Sequence, residues 1–163
     1  MTVPGIVQPP LIDLDAPKRD VRTQFGALCY RVKDGETQIL LITSRNTRRW
    51  IIPKGWPMAN RTPAEAAAQE AWEEAGVEGK VGETSIGLYT YTKVMAKSDD
   101  LPCAVVIYPM RVRDMKNKFP EANERSRRWF SPKKAAKAVW EPELAVLLES
   151  FDGKAMDKLL RQS

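Results

Sequence analysis

Histidine is absent from the 163-residue chain. Its absence excludes a Ser-His-Asp triad, an imidazole general base and any His-ligated metal. Cysteine is nearly absent too: Cys29 and Cys103 each sit in an apolar stretch. Two thiols cannot build a four-thiolate zinc site, and they read as reduced core residues of a cytosolic protein. No run approaches the ~18 apolar residues of a membrane span. The stretch from Met1 to Pro17 has neither the basic n-region nor the apolar h-region of a signal peptide. The expected location is the cytoplasm. Any hydrolytic chemistry must come from carboxylates, hydroxyls, Lys, Arg and a hard metal.

What is present is ordinary for a globular chain, with 43% apolar and 29% charged residues. The length suits one domain. Lys and Arg number 26 against 21 Asp and Glu, a net charge of +5 that suits a polyanion such as a polyphosphate or RNA. Residues 1–18 hold Pro4, Pro9, Pro10 and Pro17 and read as an extended lead-in. Residues 19–163 read as the domain.

Apolar patterning predicts strands over Gln24–Val32 and Thr37–Ser44, joined by a turn at Asp34-Gly35. Further strands are expected at Arg49–Ile52, Val81–Val94, Cys103–Val112 and Arg128–Phe130. Pro109 suggests a bulge or an edge in the fifth of these, and Ala96–Asp100 reads as a polar loop. Ser131-Pro132 opens a short helix through Val139. Glu141-Pro142 opens another, with Leu144, Leu147, Leu148 and Phe151 as its apolar stripe. Gly153 interrupts it, and Met156, Leu159 and Leu160 continue the packing. The pattern is a mixed α/β domain.

The informative segment runs from Gly55 to Val77. Thr62, Pro63 and Glu65 form a capping box with Pro at N1, and Gly76 fits the left-handed C′ position. These signals predict a helix over Pro63–Ala75. On it Glu70, Glu73 and Glu74 share one face at i, i+3 and i+4. Like charges so spaced repel by roughly 0.2–0.5 kcal/mol per pair. They also crowd the helix half whose dipole favours cations. A bound divalent cation relieves both penalties, and an all-oxygen set points to Mg²⁺ or Mn²⁺.

This segment resembles the Nudix hydrolase signature, G-x5-E-x7-R-E-U-x-E-E-x-G-U with U apolar. Gly55, Glu70, Ala71, Glu73, Glu74, Gly76 and Val77 match in register. Arg61 replaces the first Glu and Gln69 replaces the Arg, which reads as loss of a supporting ion pair. The resemblance covers Thr23 to Phe151. It implies a Nudix-type α/β/α sandwich with a mixed sheet and a catalytic loop-helix-loop. The stretches RRWIIPKGWP and RRWFSPKKA resemble the diphosphoinositol polyphosphate phosphohydrolase-like group, which also handles diadenosine polyphosphates.

By that resemblance the chain is a metal-dependent pyrophosphohydrolase acting on a small-molecule polyphosphate, as a monomer or homodimer. Glu70 and Glu74 are then the main metal ligands, with Glu73 and the Lys54 carbonyl completing the site. Glu73, Glu121 and Glu124 are candidates for the general base. Arg45, Arg48, Arg49 and Lys54 are candidate phosphate contacts, with Trp56 a stacking surface. Arg125, Arg127 and Arg128 form a second candidate cluster. Other Nudix specificities (an RNA 5′ end, ADP-ribose, an oxidised nucleotide) stay open, as does a non-catalytic nucleotide- or RNA-binding domain.

Overall fold

A computed structural model describes residues 21–95 and 100–162. The Pro-rich lead-in expected over 1–18, and all but Asp100 of the loop expected at Ala96–Asp100, lie outside the described residues. The elements run β1 (Arg22–Lys33), β2 (Glu36–Thr43), β3 (Trp50–Ile51), β4 (Lys54–Gly55), α1 (Pro63–Ala75), β5 (Val77–Val81), β6 (Gly87–Lys93), β7 (Leu101–Met115), β8 (Arg127–Phe130), α2 (Pro132–Ala138), α3 (Pro142–Glu149) and α4 (Gly153–Arg161).

The strands join in one mixed sheet. β1 is its centre and pairs in parallel with β7, from Arg22 opposite Cys103 to Tyr30 opposite Arg111. The other edge of β1 is divided. β2 pairs with its end, Tyr30–Lys33, whereas β4 pairs with Phe25 and Gly26 near its start. The sheet therefore forks beside β1, and the fork places Lys54 and Gly55.

Side-chain alternation along β1 separates the two cores. Ala27 and Cys29 face α1 together with Leu40, Ile42 and Met110. Leu28 and Tyr30 face the C-terminal helices with Ile39, Leu41, Leu144, Leu148 and Leu160. The architecture is thus the expected α/β/α sandwich.

The strand expected at Val81–Val94 is shorter, β6 over Gly87–Lys93, and β5 over Val77–Val81 is a strand the patterning does not predict. β5 and β6 share one edge of β7 and change over near Pro109: Gly82 donates to the Pro109 carbonyl (2.8 Å) and Ile86 to the Ile107 carbonyl (2.9 Å). A residue's N–H and C=O point the same way in extended backbone. The N–H that Pro109 lacks would therefore face the changeover, where neither strand is paired. This lets β7 run through the proline for 15 residues. Gly153 does not interrupt a helix but starts α4, its N–H on Thr37 Oγ1 at 2.9 Å. Of the expected C-terminal packing residues, Leu160 is buried and Leu159 exposed. Phe151 lies past the end of α3 and packs on Tyr30, ring centres 5.0 Å apart.

The helix α1 has the bounds its caps predict. Thr62 Oγ1 accepts from the Glu65 N–H (3.1 Å), and Glu65 Oε1 accepts from the Thr62 N–H (2.8 Å). Gly76 closes the helix with φ +69°, and a Cβ there would stand 2.3 Å from the Phe119 ring. Two variants grade these ends by urea melts. Thr62→Ala costs about 1 kcal/mol. Gly76→Ala costs more than the ~1 kcal/mol of a strained backbone alone, because the ring must also move. Equal stability of Gly76→Ala and the parent contradicts this packing.

Candidate active site

The fork in the sheet brings the α1 glutamates onto main chain. Ala27 N–H donates to the Pro53 carbonyl (3.0 Å), and antiparallel pairs alternate between bonded and non-bonded. Lys54, opposite Gly26, is then a non-bonded pair. Its N–H and C=O both face away from β1. The N–H meets Glu74 Oε1 at 3.3 Å, so the Lys54 carbonyl lies on the carboxylate side, as the metal-ligand role requires. Gly55 is obligatory for another reason. A Cβ there would stand 2.1 Å from Glu70 Oε2, so the Glu70 carboxyl occupies the space a side chain would take.

The Glu70 and Glu74 carboxyls lie against each other, and each alters the other's hold on its proton. Burial pushes the Glu74 carboxyl up to about 8; the charge of Arg125 opposes this, and the Glu70 contact adds to it. Burial also raises Glu70, with Glu73 and Glu121 adding and Arg125 opposing. Beneath them Cys29 is buried, and its thiol is pushed up to about 12, which makes it an inert core residue.

Glu73 behaves differently. Its Oε2 accepts from the Gln69 amide at 2.8 Å. The change from Arg to Gln at 69 therefore leaves a support in place, in neutral form. Arg61 stays on the surface, its N–H on the Met58 carbonyl.

The loop before β8 supplies a fourth carboxylate. Glu121 N–H donates to the Glu73 carbonyl (3.0 Å), and its side chain meets Arg125 Nε at 2.8 Å. Glu124 is not brought to the glutamate pair. It lies half exposed, 3.4 Å from Arg45, and its carbonyl accepts from Arg48. The loop turns between the two residues, so Glu121 rather than Glu124 faces α1.

The basic candidates disperse. Arg49 pairs with Glu141 at 2.7 Å and lies 4.9 Å from the Trp140 ring centre. Arg125 is buried. Arg127 donates to the Ala75 carbonyl at 2.7 Å, and Arg128 lies over Trp50 and Phe130. Each of these arginines thus has a partner within the fold. Lys54 does stand at the site: its ammonium lies 4.8 Å from the Tyr91 ring centre, and burial lowers its pKa against the raising charge of Glu74. Beside it, Lys93 lies 5.3 Å from the Trp56 ring, and Trp56 is 39% exposed. Tyr89 is buried in the core.

Sequence reasoning names Arg125 only as one of a cluster with Arg127 and Arg128, although Glu121 and Arg125 stand at the i, i+4 spacing of an ion pair. Glu141, held to Arg49 across the domain, left no local signal.

Among the described residues no three acidic or thiol side chains stand as a ready-made metal cage. The donors nevertheless fit a hard cation. Two carboxyls lie together against a glycine cradle, and a main-chain carbonyl lies on the same side. A cation held there would compete with protons for these carboxyls. Glu74 binds its proton more tightly folded than unfolded. Its contribution to stability is therefore full below the ordinary carboxylate range of 4.5, and it is lost as pH rises toward about 8. Metal-free protein should lose melting temperature across that window, and Mg²⁺ should restore more of it at the alkaline end. A melting temperature that rises over this window in chelator contradicts the raised Glu74 carboxyl.

The NUDIX domain model matches residues 22–151. Nudix hydrolase 13, mitochondrial, of Arabidopsis thaliana is 30% identical over 148 residues, which is 80% of this chain and 73% of that protein. Diphosphoinositol polyphosphate phosphohydrolase 2 of Rattus norvegicus is 29% identical over 120 residues, 72% of this chain and 63% of that one. The matched region spans less than two thirds of the rat protein. Among solved structures, a C. elegans Ap4A hydrolase binary complex superposes with TM-score 0.54 at 19% identity, covering 87% of this chain and 99% of that one. The NUDIX domain of Shewanella oneidensis NrtR, complexed with ADP ribose, superposes with TM-score 0.58 at 14% identity, covering 91% and 94%. These two likenesses concern the fold. The family match over most of the chain, together with the glutamate helix set against Gly55, places this chain in the Nudix family of hydrolases, which act on pyrophosphate bonds.

Proposed function

We propose that the chain is a metal-dependent pyrophosphohydrolase that cleaves a diphosphate linkage of a nucleotide polyphosphate, of the diadenosine polyphosphate type. The observation that carries the reading is the Glu70–Glu74 carboxyl pair held against Gly55 and the Lys54 main chain. Glu70, Glu74 and the Lys54 carbonyl would hold Mg²⁺ or Mn²⁺. A divalent ion in that place would supply charge neutralisation for the phosphate oxygens and acidity for the attacking water.

The protein's own groups do the rest. Lys54 places a positive charge beside the glutamates for the phosphate chain. Glu121, adjoining the pair, is the candidate to accept the proton of the attacking water; Glu73, steadied by Gln69, is the alternative.

The choice of nucleotide over inositol polyphosphate rests on what surrounds Lys54. A densely phosphorylated inositol needs several convergent cations. Arg49, Arg125, Arg127 and Arg128 have partners within the fold, and the exposed Arg45 and Arg48 reach Glu124 in the loop before β8. Trp56 with Lys93 instead offers an aromatic face with a charge, suited to a stacked base. The diphosphoinositol names of several relatives keep the second class as the comparison to test.

For the compartment, no helix among the described residues is long and apolar enough to cross a membrane. The two buried free thiols support a reducing setting such as the cytoplasm.

A hydrolysis assay in Mg²⁺ tests the reading. Diadenosine tetraphosphate should be cleaved with higher kcat/KM than diphosphoinositol pentakisphosphate. Glu70→Gln should lower turnover about 100-fold while the melting curve stays cooperative. Trp56→Ala should raise KM for the dinucleotide about 10-fold, as loss of one stacked base does. An unchanged rate in Glu70→Gln contradicts the site, and preference for the inositol substrate contradicts the substrate class.

A further inference from the structure

The buried Arg125 has three partners. Its side chain is 7% exposed. Nε meets Glu121 Oε1 at 2.8 Å, Nη1 donates to the Thr43 carbonyl at 3.1 Å, and Nη2 stands 3.9 Å from Glu74 Oε1. Those partners belong to the loop before β8, the end of β2 and the glutamate helix α1. A buried guanidinium is costly unless its hydrogen bonds and charge are matched, so this arrangement fixes its three neighbours relative to one another.

The main chain shows what the guanidinium adds. The loop main chain is pegged by Lys116 N–H on the Gly76 carbonyl, by Glu121 N–H on the Glu73 carbonyl, by Arg48 on the Glu124 carbonyl, and at Ser126 through Ser126 N–H to Thr43 Oγ1 (2.8 Å) and Thr43 N–H to the Ser126 carbonyl (3.0 Å). None of these pegs fixes the Glu121 side chain. That carboxylate lies where Glu70 feels its charge, beside a pair already crowded with acid. Repulsion alone would turn it toward solvent. Arg125 supplies the counter-charge and the geometry that keep it facing α1. The contact lengths also set an order. Arg125 is hydrogen-bonded to Glu121 but only loosely paired with Glu74, so it holds the loop carboxylate without tying up the helix carboxylate.

We propose that Arg125 is the positioning residue of this active site, holding Glu121 against the α1 glutamates through one guanidinium shared with the Thr43 carbonyl. The proposal rests on the pyrophosphohydrolase reading for its catalytic consequence. It does not rest on that reading for the placement of Glu121. The role differs from that of the neighbouring arginines, which cap the helix end or lie on aromatic rings.

The test is a double-mutant cycle of Arg125→Gln and Glu121→Gln in the full chain, with Arg125→Lys as the conservative variant. Kinetics use diadenosine tetraphosphate in Mg²⁺. Arg125→Gln should lower kcat about 100-fold, the order expected of a misplaced catalytic group, and leave KM near the parent value. The double variant should be no slower than the slower single, because both changes remove one function. Arg125→Lys should not rescue, since an ammonium cannot span Glu121 and the Thr43 carbonyl in one plane. Additive losses, full rescue by lysine, or an effect confined to KM overturns the proposal.

Amide hydrogen exchange supplies a readout independent of substrate. In Arg125→Lys, the Glu121 and Ser126 amides should exchange at least about 10-fold faster while the central amides of α1 keep their protection. Unchanged exchange in the loop overturns the placement even if the parent cleaves no dinucleotide. A parent inactive on the dinucleotide, with the exchange result as expected, contradicts the substrate reading and leaves the positioning role supported.

Discussion

Two carboxyl groups pressed together against a glycine are the constraint on which the site depends. Glu70 fills the place of a side chain at Gly55, and Glu74 reaches the Lys54 N–H and lies against Glu70. Neither contact could form if β4 continued beside β2. It forms because the sheet forks, leaving the start of β1 to β4 and its end to β2. The parallel pairing of β1 with β7 holds that fork from the other side. The fold therefore places a short piece of main chain, one residue with both polar groups free of the sheet and one with no side chain, under a helix of acids.

The same helix carries an electrostatic conflict that the sequence exposes and the tertiary structure partly relieves. Its last turn has no basic residue. Arg127 comes from β8 to the Ala75 carbonyl, and Arg125 comes from the preceding loop to the neighbourhood of Glu74. A cation near the C-terminal carbonyls is favourable for the helix dipole. The relief stops short of the Glu70–Glu74 pair, whose contact with Arg125 is too long for a hydrogen bond. What is left uncompensated is the part of the site suited to a divalent ion. Gln69 complements this arrangement by steadying Glu73 without adding charge.

Much of this was legible in the chain. Local signals fixed α1 to the residue, because capping boxes, proline at N1 and a left-handed glycine act within a few positions. Apolar runs located β1 and β2 to within two residues, and Ser131-Pro132 marked the start of α2. The illegible parts all depend on distant partners. The break between β5 and β6 is decided by which stretch of β7 each can pair with, and Gly82 to Ile86 carries no obvious breaker beyond its glycine. Spacing alone could not tell Glu121 from Glu124. Both sit in one acidic loop, and only the turn between them aims the first at α1 and leaves the second to Arg45. Arg49, Arg127 and Arg128 stand out as candidate phosphate contacts because charge is visible in a sequence, whereas Glu141, the Ala75 carbonyl and the Trp50 ring that hold them are not visible as partners.

The most direct measurement is anomalous diffraction from crystals soaked in Mn²⁺. The account predicts a peak within coordination distance of the Glu70 and Glu74 carboxylates and the Lys54 carbonyl, with Arg125 still on Glu121. No peak at that place, with the two carboxyls still against each other at alkaline pH, would contradict it.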